Sequence, residues 1–561
     1  TITMQLARNT FGMKEMTLQR KFLEVALAYR LEARYSKDEI LTFYMNRVYF
    51  GSGLYGVERA AQGYFMKPAA QLSLGESAML AGVIRGPSLL NPFRSLENAK
   101  DIQTEVLDRL VASDVVTKAE ADAAKQQPIR LRPAEQRLAT GSYPLQFIFD
   151  LLEDYLEPHL IETGGLRIYT TLDAGLQKSA EEALDRHLTS IEKRQGYRHA
   201  TRSSHKAGTS TKYLQGSVVT LDNRTGGIVA LVGGRDFGES SFNRAYLARR
   251  QVGSTFKPFV YAVAMDRGGL LPGAYVSDNP IQLGNWSPKN SDGTFTGLQP
   301  AAIGLIKSRN TMSVRVGLIA GIENLRGLAR ALKIGEIPNS PVVALGAFES
   351  SPVTLTSAYS TFPAGGVNYS PFLITRIEHA DGTLLYEHEI TARRIFPEGV
   401  AWMTTDMLGH VLDDGTATEA RAKGYQAPAY GKTGTTNDFV DAWFVGYTDK
   451  LTTGVWVGLD QPKTIMDRGY GSTLALPVWT EVMKTAESRG YAAAKIPAPA
   501  GTKSLVLCRE CGQLSSNGTR YPYQMDLPAD LAPRGTCRGH GGVFAQNGAP
   551  QAFPVPGETV G

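Results

Sequence analysis

At 561 residues the chain exceeds what one hydrophobic core supports, so about two to four domains are expected. Its 42% hydrophobic and 20% charged residues are those of a folded protein and exclude a disordered one. The net charge of +5 is mild for this length and excludes a dedicated nucleic-acid binder.

No apolar run has the length of a membrane span, and no signal peptide is visible. The chain opens at Thr1 inside a helical pattern, so it is expected to be a piece of a longer protein. Residues 1–115 read as helical, with Leu18, Phe22, Val25, Ala26, Tyr29 and Leu31 at near-helical spacing. Ser36 to Glu39 forms a capping box before Ile40, Gly51 to Gly56 breaks the pattern, and Leu74 to Ile84 is a further helix closed by Gly86-Pro87. From Asn98 to about Gln136 the chain is a charged helical connector. Gly165 to Leu172 alternates as a strand, and Asp173 caps a helix with the stripe Leu176, Ala180, Leu184, Leu188 and Ile191. Tyr197 to Lys212 is polar and reads as a flexible loop. Gly216 to Asp222 and Ile228 to Val232 flank Asn223 to Gly227 as a β-hairpin.

Three later stretches carry chemistry. In Gly253-Ser254-Thr255-Phe256-Lys257-Pro258, a serine and a lysine three apart share one helix face. A serine hydroxyl needs a base beside it, and lysine serves when burial or neighbours leave its amine neutral. Alone, the pair is common by chance and reads first as a solvated helix face. Pro258 must lie in the first helical turn to be tolerated. Ser308 and Asn310, two apart, read as a loop aiming a hydroxyl and an amide into a cleft, or as a helix N-cap. Lys432-Thr433-Gly434 precedes a strand pair and reads as an edge strand open to an extended peptide, or as a turn.

In that order, S-x-x-K, S-x-N and K-T-G resemble the active-site set of penicillin-recognising serine acyl-transferases. Leu345 to Glu349, Pro352, Ala358-Tyr359, Gly365-Gly366 and Asp441-Ala442-Trp443 sharpen the resemblance to class A penicillin-binding transpeptidases. The resemblance implies that Ser254 attacks the carbonyl of a penultimate D-alanine with Lys257 as general base. It implies a proton relay through Ser308, Asn310 on the substrate amide and Lys257, and Lys432 and Thr433 setting the field of the site. Thr435 would bind the substrate carboxylate, with the N–H groups of Ser254 and Thr435 as the oxyanion hole. Gly434 completes the motif. Stem peptides ending in D-Ala-D-Ala and β-lactams are the implied ligands, and no cofactor is expected for the acyl transfer.

The first region resembles the later part of a class A peptidoglycan glycosyltransferase domain, through Thr1 to Asn9, Arg20 to Glu24, Ser36 to Asn46, Val48 to Gly51 and Gly53 to Val57. Tyr64-Phe65 and Leu80 to Gly82 with Pro87 extend it. The resemblance implies a lysozyme-like helical domain acting on lipid II and glycan strands. Glu24 matches the second acid of that site, Arg20 and Lys21 its phosphate-side cations, and Gln5 and Asn9 its polar lining. A divalent metal could assist there. Met4 and Arg8 depart from the family pattern, and the block carrying the principal catalytic glutamate would precede Thr1, as would the membrane anchor. Residues 1–561 alone are therefore expected not to polymerise glycan.

The cysteines Cys508, Cys511 and Cys537 all lie near the C-terminal end, which fits an exported protein. Cys508-x-x-Cys511 with Cys537-x-x-His540 has zinc-ligand spacing; one disulfide, such as Cys508–Cys537, is the rival reading. The expected organisation is 1–115 partial glycosyltransferase, 116–214 helical and strand linker, 215–492 an α/β (α+β) serine β-lactamase-like transpeptidase with a central antiparallel sheet, and 493–561 a small appendage. The expected place of action is the extracytoplasmic (periplasmic) face of the bacterial cell membrane. Competing functions are a D,D-carboxypeptidase or β-lactamase-type hydrolase, or a non-catalytic β-lactam-binding scaffold or sensor.

Overall fold

The structure is a computed structural model describing residues 1–10, 18–52, 54–87, 90–93, 95–132, 141–157, 160–161, 165–206, 209–379, 381–539 and 550–558. It divides into two compact units, Thr1–Leu145 and Gln146–Gly561.

The first unit is helical. Ile2–Thr10, Leu18–Arg34, Lys37–Arg47, Val57–Phe65, Leu74–Val83, Leu96–Ala112 and Lys118–Gln126 are its longer helices. Reciprocal caps start three of them. Ser36 Oγ accepts from the Glu39 N–H at 3.3 Å while Glu39 accepts from the Ser36 N–H at 2.8 Å, and Ser73/Glu76 and Thr117/Glu120 repeat the device. The core gathers Leu6, Ile40, Tyr44, Phe50, Tyr64, Met79 and Val83.

The second unit is built on a five-stranded antiparallel sheet. Its strands are β1 (Gln215–Asp222), β2 (Ile228–Val232), β3 (Tyr430–Thr435), β4 (Asp441–Tyr447) and β5 (Leu451–Gly458), in the spatial order β3-β4-β5-β1-β2. The hairpin expected across Asn223–Gly227 is the β1–β2 pair. These strands are buried almost throughout because helices cover both faces. On β5, Thr453 meets Met483 of helix Leu476–Ser488, whereas its neighbour Gly454 faces Thr356 of helix Pro352–Tyr359. Helix Ala174–Glu192, capped by Asp173 through the Gly175 and Leu176 N–H groups at 2.9 Å, packs beside Leu476–Ser488. Its stripe Leu176, Ala180, Leu184, Leu188 and Ile191 is wholly buried in the main core. The linker drawn over 116–214 thus contains a core helix. The strand expected at 165–172 spans Arg167–Thr170 and joins a separate three-stranded sheet. The polar stretch from Tyr197 is anchored by Arg202, which pairs with Asp185 at 2.9 Å, Asp236 at 2.7 Å and Glu239 at 3.2 Å.

At the centre lies helix Lys257–Gly268, buried from Lys257 to Met265 and packed against helices Asn310–Ala320 and Glu398–Asp413. Pro258 sits in its first turn, where the missing N–H costs nothing. Among the described residues, no helix is long and apolar enough to cross a membrane.

Candidate active site

A 3-10 turn, Gly253–Phe256, carries half-buried Ser254 and runs directly into helix Lys257–Gly268. The turn is held on three sides. Val252 N–H donates to the Phe348 carbonyl and Gly253 N–H to the Gly346 carbonyl, each at 3.0 Å. The Tyr359 hydroxyl donates to the Thr255 carbonyl at 2.5 Å. Two of the flanking blocks noted in the sequence, Leu345–Glu349 and Ala358-Tyr359, therefore fix the Ser254 turn.

Lys257 is fully buried, and its Nζ donates to the Ser308 carbonyl at 2.7 Å, the Ser308 hydroxyl at 3.2 Å and Asn310 Oδ1 at 2.8 Å. Burial drives its pKa well below the ordinary lysine value, and the charges of Lys432 and Arg309 push the same way. Lys432 is also fully buried; its Nζ donates to the same Ser308 hydroxyl at 3.0 Å and to the Thr433 carbonyl at 3.1 Å. Burial brings its pKa down to about 7. One hydroxyl thus joins S-x-x-K, whose lysine lies 51 residues upstream, to K-T-G, whose lysine lies 124 residues downstream.

Ser308 has φ +59°, a left-handed conformation that costs a residue with a Cβ about 1–3 kcal/mol. Its neighbours hold it there. Arg309 donates to Asp278 at 2.8 and 3.0 Å and to Asp292 at 2.7 Å, and its N–H donates to the Gly304 carbonyl at 2.8 Å. The buried Asp278 also accepts from Thr311, Asn290 and Thr296. Burial alone would raise its pKa, but Arg309 and these hydrogen bonds outweigh it and hold the carboxyl below its ordinary value. Helix Asn310–Ala320 begins without any side-chain cap, so neither Ser308 nor Asn310 is an N-cap. Asn310 instead turns Oδ1 to Lys257 and donates Nδ2 to the Lys289 carbonyl at 2.8 Å. Asp278 and Asn290 escaped the sequence reading, since a buried polar cluster leaves no periodic signal, and so did the exposed Lys289, which takes part only through its backbone carbonyl.

K-T-G lies on β3, which forms the sheet's edge and pairs with β4 alone among the described strands. Its other side offers backbone groups to an extended peptide. Gly434 lets the strand approach the serine turn: a Cβ there would stand 2.6 Å from Thr255 Cγ2 and 3.0 Å from Trp443 Cβ. Thr433 shares a hydrogen bond with Thr416 at 2.7 Å, and Thr435 Oγ1 accepts from the Gly471 N–H at 3.1 Å. Behind β3, Arg250 donates to Asp441 at 2.7 Å, and the Trp456 indole N–H donates to the same oxygen at 3.0 Å. This network ties the short strand Arg250–Gln251, just before the Ser254 turn, to β4.

In the first unit, Glu24 is fully buried in helix Leu18–Arg34, and Lys21, one turn earlier, is exposed. Gln5 accepts from the Tyr44 hydroxyl at 2.8 Å. The side chains of Asn9 and Arg20 lie outside the described residues. In the tail, Cys508, Cys511 and Cys537 are free thiols, and among the described residues they form the one cluster whose ligand atoms could share a metal ion. His540 lies outside the described residues.

Comparison with known proteins agrees with this geometry. Residues 1–111 match the family described as Transglycosylase, and residues 216–484 match the penicillin binding protein transpeptidase domain. Penicillin-binding protein 1A of Neisseria lactamica is 32% identical over 588 aligned positions, covering 87% of this chain and 73% of that protein. The protein of the same name from Aquifex aeolicus is 32% identical, covering 86% of this chain and 76% of that one. The crystal structure of penicillin-binding protein 1A from Haemophilus influenzae shares the fold with a TM-score of 0.67 at 23% identity, over 96% of this chain and 94% of that one. PonA1 from Mycobacterium tuberculosis does so with a TM-score of 0.54 at 24% identity, over 64% of this chain and 93% of that one. With both domain families present in order and relatives matched along most of their length, the chain belongs to the class A penicillin-binding proteins.

Proposed function

We propose that Ser254 is the acylated nucleophile of a D,D-transpeptidase. Membership of the family makes the protein a peptidoglycan synthase with glycosyltransferase and D,D-transpeptidase domains and β-lactam binding. Lys257, kept neutral by burial and by the charge of Lys432, takes the Ser254 proton as Oγ bonds to the carbonyl carbon of the penultimate D-alanine. The N–H groups of Ser254 and Thr435 receive the developing oxyanion. As the amide C–N bond breaks, the proton passes from Lys257 through the Ser308 hydroxyl to the departing D-alanine amine. An amine from a neighbouring stem peptide then attacks the ester, returning Ser254 and forming the cross-link. Asn310 orients Lys257 and the substrate amide, and Thr435 with Lys432 receives the terminal carboxylate. Nucleophile, base, relay and oxyanion donors are all protein groups.

The observation that carries this reading is the convergence of Lys257 and Lys432 on the Ser308 hydroxyl, at 3.2 and 3.0 Å. In the first unit, Glu24 is assigned to the glycosyltransferase site, with Lys21 as a cation for the pyrophosphate of lipid II and Gln5 as polar lining; for Arg20 and Asn9 the same two roles rest on the motif alone. The protein is assigned to the outer face of the cytoplasmic membrane.

The test is a product assay with a D-Ala-D-Ala donor and an acceptor stem peptide. Cross-linked dimer in excess over free tetrapeptide is expected; tetrapeptide alone would instead indicate a hydrolase on the same scaffold.

A further inference from the structure

The tail beyond Lys503 is a two-stranded ribbon, Lys503–Cys508 with Pro522–Leu527, and buries few apolar side chains of its own. Segments of this kind need a covalent or metal staple. At the end of the first strand the chain turns sharply. Gly512 N–H donates to the Cys508 carbonyl and Cys508 N–H to the Gln513 carbonyl, each at 2.9 Å, with Gly512 at φ +70°. Cys537 joins this turn by donating its N–H to the Leu514 carbonyl at 2.7 Å. The three sulfurs then lie within 4.8 Å of one another, with Cys508 and Cys537 buried. Backbone N–H groups of Glu510 and Cys511 face the Cys508 sulfur, that of Gln513 faces Cys511, and that of Gly539 faces Cys537.

We propose that Cys508, Cys511 and Cys537 hold one thiophilic divalent cation of the zinc class as a structural site. Three sulfur–metal bonds form, the thiol protons leave to solvent, and one further donor completes a tetrahedron. A disulfide would use two of the three sulfurs and leave the third beside it; the metal uses all of them. The site also braces the transpeptidase. Arg509, between Cys508 and Cys511, donates to the Gly273 carbonyl at 3.0 Å, and its own carbonyl accepts from the Tyr275 N–H at 2.7 Å. That segment leads into Asp278, the partner of Arg309.

The test is metal analysis of the whole chain purified with a reductant, for wild type, C511S and C537S, followed by replacement of bound metal with cobalt(II). About one zinc per chain in wild type and none in either variant is expected. Cobalt-loaded wild type should show a thiolate-to-metal charge-transfer band. The wild-type spectrum decides even where a variant fails to fold. No such band after cobalt loading overturns the site, as does an intact mass lighter by two hydrogens under non-reducing conditions, which marks a disulfide.

Discussion

Lys257 and Lys432 point their amines at a single acceptor, the Ser308 hydroxyl, at 3.2 and 3.0 Å. Two buried ammonium groups so close cannot both keep a proton cheaply, and each lowers the cost of neutralising the other. Lys257 works as a neutral amine, so acylation by penicillin should accelerate with pH as it loses its proton. Lys432's charge is one cause of Lys257's lowered pKa. In K432Q that cause is gone, the Lys257 pKa rises, and the acid limb of the acylation–pH profile should move to higher pH. An unmoved limb would separate the two lysines.

The same pair leaves a stability signature. Folded Lys432 holds its proton only up to about pH 7, whereas in the unfolded chain it holds it to an ordinary lysine value of roughly 10.4. Between those values the unfolded state binds more protons, so stability rises as pH climbs through the window. Denaturant midpoints at pH 7 and pH 9 should show the increase in wild type and a smaller one in K432M.

Ser308 combines a strained backbone with a hydroxyl at the junction. S308G and S308A both lose the relay, and each should slow acylation by about 10²- to 10⁴-fold. Glycine, however, adopts φ +59° freely, so S308G should be more stable than S308A by about 1 kcal/mol. Thermal melts beside acylation rates check both halves.

Asp278 touches no substrate in this account; it positions Arg309 and through it the Ser308 turn. D278N should cost about 3–5 kcal/mol by leaving Arg309 partly unpaired in a buried place. Its acylation rate should fall by about 10²-fold through misplacement of Ser308 and Asn310. D278E, which restores the charge, should recover part of the rate. A full rate in D278N would remove Asp278 from the positioning of the site.

Much of this was legible in the sequence because it is local. The hairpin across Asn223–Gly227 follows from alternation and turn residues, and the caps at Ser36 and Asp173 from residue type and spacing. Ser254, Ser308 and Lys432 were legible as motifs, but only the fold brings them to one place. What stayed hidden depends on partners distant in sequence. Arg202 looked like part of a loose polar stretch because Asp236 and Glu239, which hold it, come more than 30 residues later. The stripe from Leu176 to Ile191 announced a buried face without saying that it packs beside Leu476–Ser488, so its helix was placed in a linker. The left-handed Ser308 could not be foreseen either, since the ion pair that holds Arg309 in place sits 31 residues upstream at Asp278.

The central claim is that Ser254 is the group acylated. Wild type and S254A should be labelled with a fluorescent penicillin and their intact masses measured, with thermal melts to confirm folding. The account predicts one stable adduct on wild type and none on folded S254A. An adduct of the same mass on folded S254A would place the nucleophile elsewhere and contradict the site.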